Sequence, residues 1–173
     1  MTPEHELHHI DNGPDPLEAP GGIGLVTFDV DCDGNAQQVY ERSREVLRII
    51  VQQYEKPWWP PLEEWKRILP QWFVEACAPE ESHEEAERWS KWWRNLPREE
   101  QRRVEAEQRW SVDNWIYWFE KVNRHWWWWD ALVDSPDEMR VAVQVEGWPF
   151  PWGSLRWLLK ASGADEVTSE EEL

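Results

Sequence analysis

Tryptophan is the residue that most constrains how this chain can fold, because 17 of its 173 residues carry an indole ring. Each indole needs a large apolar space and an acceptor for its N–H group, so many of the rings have to share a core. Helical spacing places four of them in that core, namely Trp89, Trp93, Trp115 and Trp118. The run at 126–129 is different, since four consecutive rings on a helix or a strand cannot all face one core. One or two of these rings must meet a second layer, a partner or a ligand.

The order of apolar residues predicts an α+β fold that is predominantly α-helical. Alternating residues predict strands at 23–30 and 139–145, and residues 164–168 are a candidate third strand. Helical periodicity predicts a long helix over 36–54, followed by several shorter helices, one of which begins with a capping box at 82–85. We therefore expect five to seven helices packed on a small two- or three-stranded sheet formed by the N- and C-terminal segments.

The chain length predicts one domain between two acidic ends. A chain of this size can bury a core without disulfides, and Cys32 and Cys77 lack the spacing of a zinc or redox motif. Residues 1–22 are polar, rich in proline and glycine and without periodicity, which predicts a flexible acidic arm. Residues 23–168 are expected to form a single globular domain, and residues 169–173 an acidic tail.

The net charge of −17 is concentrated at the two ends of the chain. Residues 1–41 contain nine acids and residues 161–173 contain five, with no lysine or arginine in either segment, whereas residues 42–160 carry a net charge of only −3. This balance argues against nucleic-acid binding and is compatible with a basic protein partner. Without a membrane-spanning segment or a signal peptide in the sequence, a cytoplasmic location is expected.

Three aspartates at alternate positions, Asp29, Asp31 and Asp33, precede Gly34. This segment resembles the first half of an EF-hand-type loop, which implies calcium binding by the three carboxylates, but Tyr40 stands where that loop has its bidentate glutamate. A strand that ends in Asp-x-Asp also resembles the phosphatase motif of the haloacid dehalogenase family, although the alternating strand–helix pattern of that family is absent. The simpler interpretation is a strand-to-helix turn whose side chains satisfy backbone donors.

His125 is the central histidine of the chain, and Glu120, Asp130 and Asp134 lie near it in sequence. A histidine oriented by a carboxylate can act as a general base. The sequence contains no recognisable nucleophile motif for such a base to activate, so a structural role for His125 is the other interpretation.

The N-terminal segment contains three further histidines, His5, His8 and His9, beside Asp11. Imidazole and carboxylate groups in this combination can gather a transition metal. In a flexible arm, solvated histidines are the alternative.

Proline-rich loops hold a second group of aromatic residues around 58–59 and 148–152. Rings that are fixed in position before binding lose little conformational freedom on binding, and rigid tryptophans at a surface are typical of protein interfaces and of sugar-stacking platforms. Together with the run at 126–129 they form the predicted binding patch: Trp58, Trp59, Trp126, Trp127, Trp128, Trp129, Trp148, Phe150 and Trp152.

Three functions follow from these patterns. The first is a non-catalytic interaction protein that docks a protein partner on the patch, such as a small cytosolic neutraliser of the immunity type or a subunit of a complex. The second is binding of a small, sugar-like ligand in an aromatic pocket, with calcium at the aspartate loop and no other cofactor. The third is an enzyme that uses His125 with a nearby carboxylate.

Overall fold

A computed structural model describes residues 1–169, which form eight helices and four strands. The helices are α1 (Pro3–Asn12), α2 (Ala36–Gln53), α3 (Leu62–Ile68), α4 (Gln71–Ala76), α5 (His83–Arg94), α6 (Arg98–Glu107), α7 (Val112–Tyr117) and α8 (Gly153–Ser162). The strands are β1 (Gly24–Asp31), β2 (Trp126–Val133), β3 (Glu138–Val145) and β4 (Glu166–Ser169). None of the helices in this part of the chain combines the length and hydrophobicity needed to cross a bilayer.

The four strands form one antiparallel sheet in the order β2-β3-β1-β4. The N-terminal strand β1 is hydrogen-bonded to the two C-terminal strands β3 and β4, which confirms the predicted α+β fold. The sheet has four strands rather than two or three because the tryptophan run at 126–129 begins an additional strand, and the described chain has eight helices rather than five to seven. Of the predicted acidic tail at 169–173, only Ser169 lies within the described residues, as the last residue of β4.

One face of the sheet forms the floor of the core. Val26, Phe28 and Val30 on β1 and Val141 and Val143 on β3 are almost completely buried, as the alternation in the sequence predicts. Helices α2 and α8 cover this face, and the long apolar stripe of α2 packs into it. The opposite face is more open and carries Thr27, Asp29 and Asp31 on β1 and Arg140 on β3 among its side chains.

The N-terminal segment contains a helix that its polar composition does not predict. Helix α1 begins after Thr2, whose hydroxyl accepts a hydrogen bond from the backbone N–H of His5, and it packs against α2 and β2. Its inner face buries Glu6, His9 and Ile10, so two of its three buried residues are polar. Residues 3–12 thus form a helix within the predicted flexible arm at 1–22, and the flexibility of that segment stays a prediction.

Helices α5 and α6 form an insert that is closed at its base. The N–H of Ala78 donates to the carbonyl of Trp110 at 2.9 Å, and the Arg109 guanidinium donates to the carbonyls of Ala76 at 2.7 Å and Cys77 at 2.9 Å. The chain thus leaves and re-enters the rest of the protein at adjacent points. We call residues 79–108 the α5–α6 insert and the remaining described residues the body.

The insert does not contribute to the core. No residue of α5 is buried, and the α6 side chains that the structure describes are half-buried or exposed. Of the four tryptophans predicted in the core from helical spacing, Trp115 is fully buried, whereas Trp89, Trp93 and Trp118 are half-buried. The spacing of the α5 rings correctly predicts one aromatic helix face, but that face lies along a cleft instead of in the core.

Candidate functional site

The predicted binding patch does not form one exposed surface. Five of its nine residues are buried: Trp126, Trp128, Trp129, Phe150 and Trp152. Trp59 and Trp127 are half-buried, and Trp59 stacks on Tyr54 at 5.3 Å between ring centroids. Only Trp58 and Trp148 are largely exposed, at 65% and 42%. The tryptophan run at 126–129 therefore belongs mainly to the core.

A bulge in β2 explains how three rings of that run are buried. Trp126 and Trp128 alternate onto the covered face of the sheet, while Trp127 faces the other side. The register shifts between Trp128 and Asp130, which leaves Trp129 without a strand partner and re-aims its ring. That ring makes a T-shaped contact with His9 at 4.6 Å between centroids, so α1 provides the second layer that the sequence required.

Two of the core indoles share one serine. The Nε1–H of Trp115 donates to the backbone carbonyl of Ser154 at 2.8 Å, and the Nε1–H of Trp126 donates to its hydroxyl at 3.0 Å. Because buried indoles need acceptors, Ser154 fixes the relative positions of α7, β2 and α8. These rings are structural rather than available for a ligand.

A buried ion pair joins α1 to the segment before β2. The Arg124 guanidinium donates to the Glu6 carboxylate and to the carbonyl of Trp126, and Glu6 also accepts the backbone N–H of Trp128 at 2.8 Å. Burial lowers the pKa of Arg124, but Glu6 and Tyr54 together outweigh burial and raise it, so Arg124 stays charged. Four rings surround the guanidinium with centroids 5.3–5.9 Å away: Tyr54, Phe119, Trp126 and Trp127.

A large cleft lies between the α5–α6 insert and the body, with a volume of about 1320 Å³. Trp89 and Trp93 form part of its wall on the insert side, where their rings stack at 6.1 Å with an interplanar angle of 14°. The body contributes three further indoles, Trp110, Trp118 and Trp152. Of the predicted patch, Phe150 and Trp152 line this cleft.

Charged groups of both signs alternate with the rings of the cleft. Arg156 lies over the Trp152 ring at 3.9 Å, which is a close cation–π contact. Nine charged side chains line the cleft, five of them cationic: Arg94, Arg102, Arg103, Arg156, Lys160, Glu105, Glu107, Asp165 and Glu166. The cleft is thus amphipathic and close to neutral, in a chain whose net charge is −17.

The structure does not gather the three aspartates of the predicted calcium loop. Asp29 and Asp31 lie on the more open face of β1, and Asp33 follows in the turn. The turn is instead held by Asp137, whose carboxylate accepts the N–H of Gly34 at 2.9 Å. Calcium binding at this loop stays a prediction from sequence.

Within residues 1–169, one group of three side chains places potential metal ligands together, and it consists of His5, His9 and Glu18. The other residues considered in the sequence have different partners: Asp11 pairs with Arg48, and His8 with Asn12. Sequence reasoning missed Glu18, which lies nine residues beyond His9. The signal that was present is the helical H-E-x-x-H pattern of residues 5–9, which puts two histidines on one helix face.

The carboxylates near His125 in sequence are engaged elsewhere. Asp134 accepts hydrogen bonds from Arg140 at 2.8 and 2.9 Å, Asp130 accepts the N–H of Ala131, and Glu120 accepts from the side chain of Asn123. His125 itself is exposed. The geometry therefore offers no carboxylate from this set to orient it as a general base.

Neither cysteine is an activated nucleophile. Burial raises the pKa of the Cys32 thiol and of the Cys77 thiol to about 11 each. Both thiols are protonated at neutral pH, and nucleophilic attack requires the thiolate.

Comparisons with protein-family models, with curated proteins and with solved structures found no match. Function has to be inferred from the chemistry of the cleft and of the charged clusters.

Proposed function

We propose that this protein is a non-catalytic binding protein that docks a protein partner in the cleft between the α5–α6 insert and the body. The observation that carries this proposal is the exposure of the aromatic rings on α5. This 12-residue helix bears three tryptophans and buries none of them. Exposed aromatic surface is costly in water unless a partner covers it, and tryptophan is the residue most enriched at the centres of protein interfaces.

The contrast with the body supports a binding role for α5. The body buries Trp65, Trp115, Trp126 and Trp128 to 1% exposure or less, so this fold can enclose indoles when they serve packing. Trp92 on α5 stays 50% exposed, and Trp89 and Trp93 line an open cleft. Their mutual stacking holds them in place before a partner arrives, which lowers the entropic cost of binding.

The dimensions of the cleft favour a protein segment over a small molecule. Small-molecule sites usually enclose about 300–1000 Å³ and have mostly apolar walls with few polar groups. This cleft is larger and has nine charged side chains among its rings. Aromatic anchors inside a charged rim are the usual anatomy of a protein interface.

The charges also weigh against a nucleic acid as the partner. Binding of a single strand combines stacking rings with a clear surplus of positive charge along the backbone path. The cleft has a surplus of only one cation, and the whole chain repels polyanions. The long-range field of the acidic chain instead favours encounter with a protein of positive net charge.

Substitution of the insert rings tests the proposal. The double variant Trp89→Ala, Trp93→Ala removes the stacked pair from the cleft, and Trp58→Ala removes an exposed ring outside it as a matched control. Each protein is immobilised and exposed to a lysate of its source cells, and bound proteins are quantified by mass spectrometry. Because interface hot spots contribute at least about 2 kcal/mol each, we expect retention of the specific partner to fall by more than tenfold in the double variant alone.

Two results would contradict the proposal. One is equal retention of the partner by the double variant and the wild type, which would place binding outside the cleft. The other is equal loss in the double variant and in Trp58→Ala. Thermal unfolding of all three proteins accompanies the binding measurement, and we expect similar Tm values because none of the substituted rings belongs to the core.

A further inference from the structure

We infer that His5, His9 and Glu18 form a binding site for a divalent transition-metal ion of the zinc class, separate from the proposed partner cleft. His5 and His9 are four residues apart in α1, so both rings project from one face of the helix. The chain after α1 returns to bring Glu18 against both rings. The Nε2 atoms of the two histidines are 3.2 Å apart, and they lie 2.7 and 3.0 Å from the same Glu18 oxygen.

Without a metal ion, no placement of hydrogen atoms on the two imidazoles gives this cluster a favourable set of hydrogen bonds. If both Nε2 atoms carry hydrogen and donate to Glu18, the two N–H groups face each other across 3.2 Å. If one Nε2 atom is unprotonated, its lone pair points at the negatively charged carboxylate instead. A cation between the three atoms removes both conflicts, because two imidazole lone pairs and one carboxylate oxygen then point at positive charge.

The distances are close to those of a tetrahedral ligand set. Zinc–ligand bonds of 2.0–2.1 Å place tetrahedral ligand atoms roughly 3.3–3.4 Å apart. The three distances found here are 3.2, 3.0 and 2.7 Å, so Glu18 has to move outward slightly, most of all from His5, to admit the ion. The His9 side chain is fully buried and packs against Trp129 in a T-shaped contact, whereas the His5 side chain is 44% exposed. The site is therefore anchored on its inner side and open on its outer side, where water is the expected fourth ligand.

The donor set selects the class of ion. Calcium and magnesium prefer oxygen ligands, whereas two imidazoles with one carboxylate suit zinc and its neighbours in the first transition row.

The surrounding contacts indicate a structural role for the ion. In a hydrolytic H-E-x-x-H site the glutamate acts as a general base on metal-bound water. Here Glu6 is buried and accepts hydrogen bonds from Arg124 and from the N–H of Trp128, so it is committed to the core. A bound ion would tie α1 to the segment that carries Glu18, beside the bulged edge of the sheet.

Metal titration of the full-length, chelator-treated protein tests the site. We expect one equivalent of Zn²⁺ to bind and to raise Tm by roughly 5–10 °C at a hundredfold excess over Kd, and we expect no shift with Mg²⁺. Glu18→Gln and His5→Ala should each weaken zinc binding by at least about tenfold. His8→Ala, an exposed histidine on the same helix, is the matched control and should bind zinc like the wild type.

Spectroscopy separates the three-ligand site from adventitious binding to a helical histidine pair. Co²⁺ should give the intense visible absorption of four-coordinate cobalt in the wild type and in His8→Ala, and this absorption should be lost in the near-isosteric Glu18→Gln variant. The inference is overturned if the wild type shows no saturable zinc binding, if Glu18→Gln binds zinc as tightly as the wild type, or if His8→Ala weakens binding as much as His5→Ala does.

Discussion

The tryptophans of the body and those of the α5–α6 insert have opposite environments in the same chain. In the body, Trp115 and Trp126 are at most 1% exposed and donate their indole N–H groups to Ser154. In the insert, Trp92 is half exposed, and Trp89 and Trp93 stack on each other along an open cleft. The same side chain therefore supplies packing in one region and, in our proposal, recognition in the other.

The difference between the regions lies in their connections to the rest of the chain. The body rings are held by a sheet, by the covering helices α2 and α8 and by a buried ion pair, all of which tie together segments distant in sequence. At the base of the insert, hydrogen bonds around Ala78 and Arg109 join the two flanking body segments, and Glu80 of the insert pairs with Lys66 of α3 at 3.5 Å. The amino-acid composition does not distinguish the tryptophans of the two regions. Long-range contacts decide which of these rings belong to the core.

Removal of one charge from the buried pair should produce the largest loss of stability. Glu6→Gln leaves the Arg124 guanidinium buried among rings without a counter-ion, and such losses cost about 3–5 kcal/mol. The exposed pair Asp11–Arg48 is the control, and Asp11→Asn should cost less than about 1 kcal/mol. Urea unfolding measures both. Similar losses in the two variants would show that the body does not depend on its buried pair.

Loss of the shared acceptor should have an intermediate effect. Ser154→Ala removes the hydroxyl that accepts the Trp126 N–H and leaves a buried donor unsatisfied, at a cost of about 1–3 kcal/mol. Ser90→Ala, which replaces a serine on α5 in the insert, should change the free energy of unfolding by no more than about 0.5 kcal/mol. The contrast between body and insert fails if the two serine variants unfold at the same denaturant concentration.

The cap of α5 should affect the insert alone. Ser82 accepts the N–H of Glu85 and completes a capping box, so Ser82→Ala should destabilise α5 by about 1 kcal/mol. Because α5 buries no residue, we expect roughly fivefold faster amide hydrogen exchange in residues 83–94 and an unchanged midpoint of global unfolding. A shift of the global midpoint by the full cost of the cap would mean that the insert unfolds together with the body.

The same cap gives the insert a small pH dependence. Hydrogen bonds from the backbone and the hydroxyl of Ser82 lower the pKa of Glu85 below its ordinary value of 4.5. The cap therefore contributes its full stabilisation above about pH 4.5 and loses it as the pH falls through the lower folded value. Exchange in α5, corrected for intrinsic rates, should accelerate below pH 4.5 in the wild type. Glu85→Gln should show no such acceleration.

The sequence predicted the regular parts of the fold because their patterns are local. Alternation identified β1 and β3, periodicity identified α2, and Ser82 with Glu85 identified the start of α5. It missed α1 because the buried face of that helix is largely polar, and the ion pair that makes this burial possible joins residues 6 and 124.

The candidate site was less predictable because it depends on contacts between distant segments. A bulge buries Trp129, which neither strand nor helix periodicity anticipates. Conversely, the α5 rings have the spacing of a core helix. The local sequence does not indicate that these rings line a cleft. Glu18 joins His5 and His9 only after the chain turns back.

Deletion of the insert tests the central claim most directly. The N–H of Ala78 and the carbonyl of Trp110 are 2.9 Å apart, so a linker of about four residues can replace residues 79–108. We expect the shortened chain to keep its free energy of unfolding within about 2 kcal/mol, since a shorter loop costs less entropy and no core residue is lost. We also expect it to retain no partner from the lysate that the wild type binds. Loss of the folded body, or undiminished capture of the partner by the shortened chain, would contradict the division into a packed body and a binding insert.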